Sequence, residues 1–204
     1  MNTDYQKITQ ALNLLAQKCG RGTLNRMKAI KLLYLADRYH LRKYGRPLAN
    51  DNYYAMERGV VGSVAKDITY DSDFLDDEAR LYARKFIQPV GEHEYQSAAD
   101  VDQKVFSETD LEALTFTISH FGSFDQWSLV DITHVFPEWK KYEQIVKEPG
   151  SSVPIKYEDF FEDPLTSDPV FKKYFPDGDV FKYVTAEGAK EVFREWNEQT
   201  KLWK

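Results

Sequence analysis

The sequence predicts a mainly α fold: a compact helical domain with a small antiparallel β element inserted after the second helix, plus a C-terminal helical appendage. Three observations predict it. Apolar residues recur at helical spacing near both ends of the chain and again after Ser107. Short aromatic or alternating stretches bounded by glycine lie between them, at Asn52–Glu57 and around Val90-Gly-Glu. The 13 Tyr, 13 Phe and 4 Trp supply the buried area that a sizeable core needs. The boundaries expected are 1–163 for the domain and 164–204 for the extension, which ends in an amphipathic helix.

The elements follow in order. A first helix is expected from Asp4 to Cys19, with Ile8, Leu12, Leu15 and Cys19 on one side and Gly20 and Gly22 ending it. Thr23 is placed to cap a second helix, which runs to Tyr44 and stops at Gly45, with Pro47 preventing its resumption. Asn52 to Glu57 reads as extended, and Gly59 and Gly62 permit a tight turn before a short helix over Ser63–Thr69. Arg80–Pro89 and His93–Ala99 read as the two strands of a hairpin. Ser107 followed by Asp110 marks a helix start, with Leu111, Leu114, Thr115 and Ile118 as its inner stripe and Gly122 as its end. Trp127–His134 reads as a short helix, and Pro137 opens another that runs to Lys147. Beyond Pro164 the chain is loop-rich until Thr185 caps a last helix carrying Ala189, Val192, Phe193, Trp196 and Trp203 on one side.

Composition narrows the function. No apolar run approaches the roughly 20 residues of a membrane span, and the first ten residues lack a signal-peptide pattern. A lone cysteine, Cys19, suits a reducing compartment, so a cytoplasmic location is expected. The net charge of −6 disfavours nucleic acid as a partner, since that binding neutralises phosphates. It suits a basic partner better. Lys28, Lys31, Arg38, Arg42 and Lys43 nevertheless offer a local basic face on one helix. Two acidic runs, Asp71–Glu78 and Glu158–Asp163, read as solvated surface or as docking surface for a cationic protein.

The second helix carries an anomaly. On a helical wheel Asp37 falls about 20° from Ile30, among Leu33, Tyr34, Leu41 and Tyr44. Leu32, Leu35 and Tyr39 form a second stripe opposite, so the helix is expected to be packed on two faces. A buried carboxylate needs partners: His40 one turn on, a tyrosine hydroxyl, or a neighbouring helix N-terminus. Asp131 and His134 repeat the Asp-x-x-His spacing. Two such pairs would serve as metal ligands or as an acid–base couple if a third element completed them. No HExxH, CxxC, GxSxG or phosphate-cradling glycine loop is present. The favoured role of Asp37, His40, Asp131 and His134 is therefore a buried polar scaffold, with no catalytic residue, no metal and no cofactor.

The blocks KLLYLADRYHLRKYGRPL, NDNYYAMERG and ISHFGSFDQWSLVDITHVFPEWKKY resemble the Panacea domain family of SocA-like antitoxins, over roughly residues 5 to 163. The shared motif residues are Leu33, Tyr34, Asp37, His40, Gly45, Pro47, Gly59, Trp127, Ser128, His134, Pro137 and Trp139. Where members often carry Gly-Pro-Val, this chain reads Gly59-Val60-Val61-Gly62. The resemblance implies a bacterial or phage antitoxin that neutralises a cognate protein toxin by direct contact. It also implies an alternative, an adaptor that delivers a toxin to a protease. A third reading, of another class, is a metal-assisted hydrolase using Asp37/His40 and Asp131/His134. A DNA-binding autorepressor is disfavoured by charge. Candidate partner-binding residues are Asp71, Asp73, Asp76, Asp77 and Glu78 in the acidic run, and Phe193, Trp196 and Trp203 in the last helix. Oligomeric state is not legible in the sequence.

Overall fold

The computed structural model describes residues 4–182 and 186–202. Helix α1, Tyr5–Gly20, starts where the Asp4 carboxylate accepts from the Lys7 amide. Thr23 does not cap the next helix: Thr23–Asn25 forms strand β1, and Asn25 caps α2, Arg26–Tyr44, through the Lys28 amide. Strands β2 (Tyr53–Met56) and β3 (Gly59–Gly62) make a hairpin that leads into α3, Ser63–Tyr70.

The next expectation fails for half of its length. Residues Asp77–Phe86 form helix α4, and only Ile87–Val90 becomes strand β4, paired with β5, Glu94–Ser97. Asp76 caps α4 through the Ala79 amide, and Asp77 and Glu78 fill its first turn, where acids suit the helix dipole. Helix α5, Glu108–Phe121, opens on a capping box between Ser107 and Asp110. Its buried side is Asp110, Ala113, Leu114, Phe116, Thr117 and Phe121, with Thr115 exposed, so the expected stripe was rotated. Then come α6 (Gln126–His134) and, in place of one helix to Lys147, two single turns, α7 (Pro137–Lys140) and α8 (Glu143–Val146). Strand β6, Ser152–Pro154, pairs with β2. A 3-10 turn over Tyr157–Phe161, helix α9 (Pro169–Tyr174) and helix α10 (Ala186–Leu202) complete the described chain.

The architecture is mainly α, as expected, with the strands in two three-stranded antiparallel sheets ordered β1-β5-β4 and β3-β2-β6. Helix α2 is the hub, packed against α1, α5, α6 and α10. Both of its apolar stripes are buried: Ile30, Leu33, Tyr34 and Leu41 on one, Leu32, Leu35 and Tyr39 on the other. Gly45 ends it with φ 66. A side chain there would come within 2.5 Å of the Ala189 carbonyl, so this glycine both reverses the chain and admits α10. The core continues into the extension, where Phe171, Phe175, Phe181, Ala189 and Phe193 are buried.

Candidate functional site

Helix α2 carries most of the buried ionisable groups. Asp37 is fully buried and spends its carboxylate on the chain that follows the helix. Oδ1 accepts from the amides of Leu48 (2.5 Å) and Ala49 (3.4 Å), and Oδ2 accepts from the Tyr53 hydroxyl (2.9 Å). Of the partners considered from sequence, the tyrosine hydroxyl is present and His40 is not. Burial pushes the Asp37 carboxyl up to about 7, against the pull of these hydrogen bonds.

His40 sits in a separate loop of bonds. Its Nδ1 donates to the Arg46 carbonyl (2.7 Å), and its Nε2 accepts from the Thr109 hydroxyl (3.0 Å), which itself accepts from Arg46 Nη2 (2.7 Å). Burial lowers His40 to about 4, so the ring is neutral at pH 7. The Asp110 carboxylate lies 3.3 Å from His40 Nε2 and pairs with Lys7 (3.0 Å).

Asp131 and His134 are not a pair either, and Asp131 corrects the expectation of burial, its side chain being 49% exposed. It accepts from the Tyr174 hydroxyl (2.9 Å) and faces Lys173 (3.7 Å). His134 stacks on Trp139 with ring centroids 3.7 Å apart, and Trp139 Nε1 donates to the Met56 carbonyl (2.9 Å). Both residues border a small pocket of about 160 Å³ without bonding each other. Among the described residues no three His, Cys, Asp or Glu side chains come together as a metal site.

The larger share of the buried charge was missed in the sequence. Glu138 is fully buried and accepts from the Tyr34 hydroxyl (2.5 Å) and from Arg38 Nη1 (2.5 Å). Arg38 also lies 4.0 Å over the Phe136 ring. Arg42 donates to the carbonyls of Phe160 and Glu162 (both 3.0 Å) and to the Asp163 carboxylate (2.5 Å). Lys31, 1% exposed, donates to the Val60 carbonyl (2.7 Å). The expected basic face is thus largely internal: of its five members, Lys31, Arg38 and Arg42 are buried. The signal available was spacing, since Tyr34, Arg38 and Arg42 follow at i, i+4 and i+8 along a helix already judged central. Asp51 was missed too; its carboxylate caps α3 from a distance by accepting from the amides of Val64 and Ala65 (both 2.9 Å).

The acidic runs divide. Glu158–Asp163 folds inward: Phe160 and Phe161 are buried, Asp159 and Glu162 hold Lys141, and Asp163 holds Arg42. Asp71–Glu78 stays at the surface but is partly engaged, Asp71 chelating Arg84, Asp73 facing Arg80 (3.1 Å) and Glu78 accepting from Tyr5. Of the last-helix candidates, Phe193 is 2% exposed, wedged against Tyr157, Phe161 and Trp196, and so is a core residue here. Trp196 is half-buried on it, and Trp203 lies outside the described residues, as does Thr185.

One open pocket adjoins the hub, a cleft of about 350 Å³ between the start of α2, the β2–β3 turn and α3. Met27, Ile30, Met56 and Tyr70 form apolar walls, and Lys31 lines it.

The family model for the antitoxin SocA-like Panacea domain matches residues 30–140, more than half of the chain. The chain belongs to the SocA-like antitoxin, Panacea domain family. No curated protein and no solved structure matches it significantly. The Panacea match begins within α2 and ends with α7, so it encloses both Asp37 and the Arg38–Glu138 pair. Asp163, the partner of Arg42, lies beyond it, as do β6 and the whole extension. No helix among the described residues is long and apolar enough to cross a membrane.

Proposed function

We propose that this protein is a non-enzymatic antitoxin that neutralises a cognate protein toxin by direct contact in the cytoplasm. The observation that supports this most is the antitoxin-family match across the body built around α2. The geometry agrees with it. The Asp-x-x-His residues, which a hydrolase would have to draw upon, are tied to backbone amides, hydroxyls and rings that hold helices in place. Family membership in antitoxins gives the partner class, a protein toxin, and the net charge of −6 favours a basic one.

The test is genetic and then physical. A small adjacent open reading frame should be lethal when expressed alone and harmless with this protein, and the two purified products should form a stable complex. Toxin half-life, measured with and without this protein, separates masking from delivery to a protease. An unchanged half-life with restored growth supports masking. A shortened half-life would replace it with the adaptor role, and failure to rescue or to bind would end the antitoxin reading.

A further inference from the structure

The 350 Å³ cleft beside α2 is lined by a buried, sparsely compensated lysine. Lys31 is 1% exposed, yet its ammonium has a single hydrogen-bond acceptor, the Val60 carbonyl, and no carboxylate within ion-pair distance among the described residues. The other buried cations among the described residues have richer company: Arg38 has Glu138, Arg42 has Asp163 and two carbonyls, and Arg26 has two carbonyls and the face of Tyr70. An ammonium held this way is expensive without a counter-ion. Gly59 makes the arrangement possible. Its φ is 89, and a side chain there would collide with the Thr133 hydroxyl and crowd Lys31 Nζ at 3.2 Å.

The cleft around this lysine has the makings of an anchor site. Its volume sits at the low end of ligand pockets, with apolar walls and a few convergent polar groups. Two further cations, Arg58 and Lys66, line it against one acid, Glu57. This is a positive spot on a chain of net charge −6. The guanidinium of Arg58 lies 5.5 Å from the Trp127 ring, and Trp127 is 54% exposed. Arg and Trp are the side chains that interface hot spots favour.

We propose that this cleft receives an acidic residue of the toxin, its carboxylate meeting Lys31 and Arg58 while a neighbouring apolar side chain fills the space between Met27, Ile30 and Met56. The proposal rests on the antitoxin reading for its occupant, but the carboxylate chemistry can be examined separately. The toxin's bulk is basic on that reading, so the acidic anchor would fix register while the acidic surface of this protein steers encounter.

Two measurements decide it. The first uses a small probe, 3-phenylpropionate, against its uncharged amide, titrated by NMR into the full-length protein. Wild type should prefer the acid by roughly tenfold or more, and Lys31→Met should erase the preference. Equal binding of acid and amide, or a preference that survives Lys31→Met, would overturn the site. The second uses the toxin. Lys31→Met and the surface change Arg58→Ala should each weaken the complex by roughly tenfold or more, chiefly through faster dissociation, with no fall in melting temperature. Wild-type affinity in both variants would overturn the docking role. If wild type itself binds no toxin, the antitoxin reading fails and the docking role with it, and the probe alone rules on the carboxylate site.

Discussion

The guanidinium of Arg38 and the carboxylate of Glu138 meet at 2.5 Å in a fully buried ion pair whose members are 100 residues apart in the chain. The pair ties α2 to α7, near the two ends of the Panacea match. Tyr34 donates to the same carboxylate oxygen, and Phe136 covers the guanidinium face. Such pairs contribute little net stability, because desolvation offsets their attraction. They are strict about geometry, however. α7 is a single turn that opens on Pro137, and the pair sets its register on the hub.

Removing one member should therefore do more harm than removing both. Glu138→Ala leaves a buried guanidinium and a tyrosine hydroxyl without their acceptor, and about 3–5 kcal/mol of stability should be lost. The double variant Arg38→Met with Glu138→Leu should recover a large part of that loss. Urea denaturation followed by circular dichroism measures both. A double variant that is as unstable as Glu138→Ala would show that the pair stabilises by more than its geometry.

Asp37 is the parallel case beside it, its partner Tyr53 packing edge-on against Tyr34. Asp37→Ala orphans the Leu48 and Ala49 amides and the Tyr53 hydroxyl, and about 1–3 kcal/mol should be lost. Asp37→Asn should lose less, since an amide can still accept from Leu48. If the residue is scaffold, toxin neutralisation across the series should follow melting temperature. A variant that keeps its melting temperature and loses all neutralisation would give Asp37 a direct role.

These two residues also mark what the sequence could show. Asp37 was legible as buried because it interrupts an apolar stripe, and a tyrosine hydroxyl was among its expected partners. Arg38 and Glu138 were not, since nothing local ties residues 100 apart, and a basic helix face reads the same whether solvent or a carboxylate covers it. The α4 segment was misread for a different reason. Leu81, Tyr82, Phe86 and Ile87 suit a strand, while its helix signal, Asp76-Asp77-Glu78, reads equally as solvated or docking surface. The hairpin beyond it was legible because Val90-Gly-Glu is local turn chemistry.

The buried base groups should set the pH profile of stability. Burial lowers Lys31 to about 7 and His134 to about 4, below their ordinary values of 10.5 and 6.5. For both, the unfolded chain holds more protons between the two values, so stability rises with pH across that window. His134 therefore contributes to loss of stability as pH falls from 6.5 towards 4, and Lys31 to a gain from 7 to 10.5. Asp37 works against His134, since its folded carboxyl, raised to about 7 from 3.8, makes stability fall with rising pH between those values. His134→Phe keeps the stack on Trp139 and should reduce the acid limb, to which His40, also lowered to about 4, contributes with the same sign. Lys31→Met should flatten the alkaline rise, whose slope is limited to about 1.4 kcal/mol per pH unit for one group. Melting temperatures from pH 4 to 10 for the three proteins check the signs, and an unchanged profile in either variant removes that residue from the account.

The extension should prove inseparable from the domain. Phe171, Phe175 and Phe181 enter one aromatic cluster with Phe121 and Phe136, Phe181 stacking on Phe121 at 5.7 Å. Phe193 closes over Tyr157 and Phe161. Arg42 reaches into the same region, its Nε donating to the Phe181 carbonyl. Truncation after Asp163 strips these rings from the core, and each large aromatic lost from such a place costs about 3–5 kcal/mol when it is cut back to alanine. The truncated chain should therefore fail to fold cooperatively. Gly45→Ala is the gentler version: it forces a side chain into a left-handed turn and against the Ala189 carbonyl and Val192. That variant should fold, melt lower than wild type, and show faster amide exchange in α10 than in α1 or α5. A truncated protein that melts like the full chain would mean that residues 164–204 pack without stabilising. It would also return the last helix to consideration as a toxin-binding element, to be judged by whether the truncated protein still rescues growth.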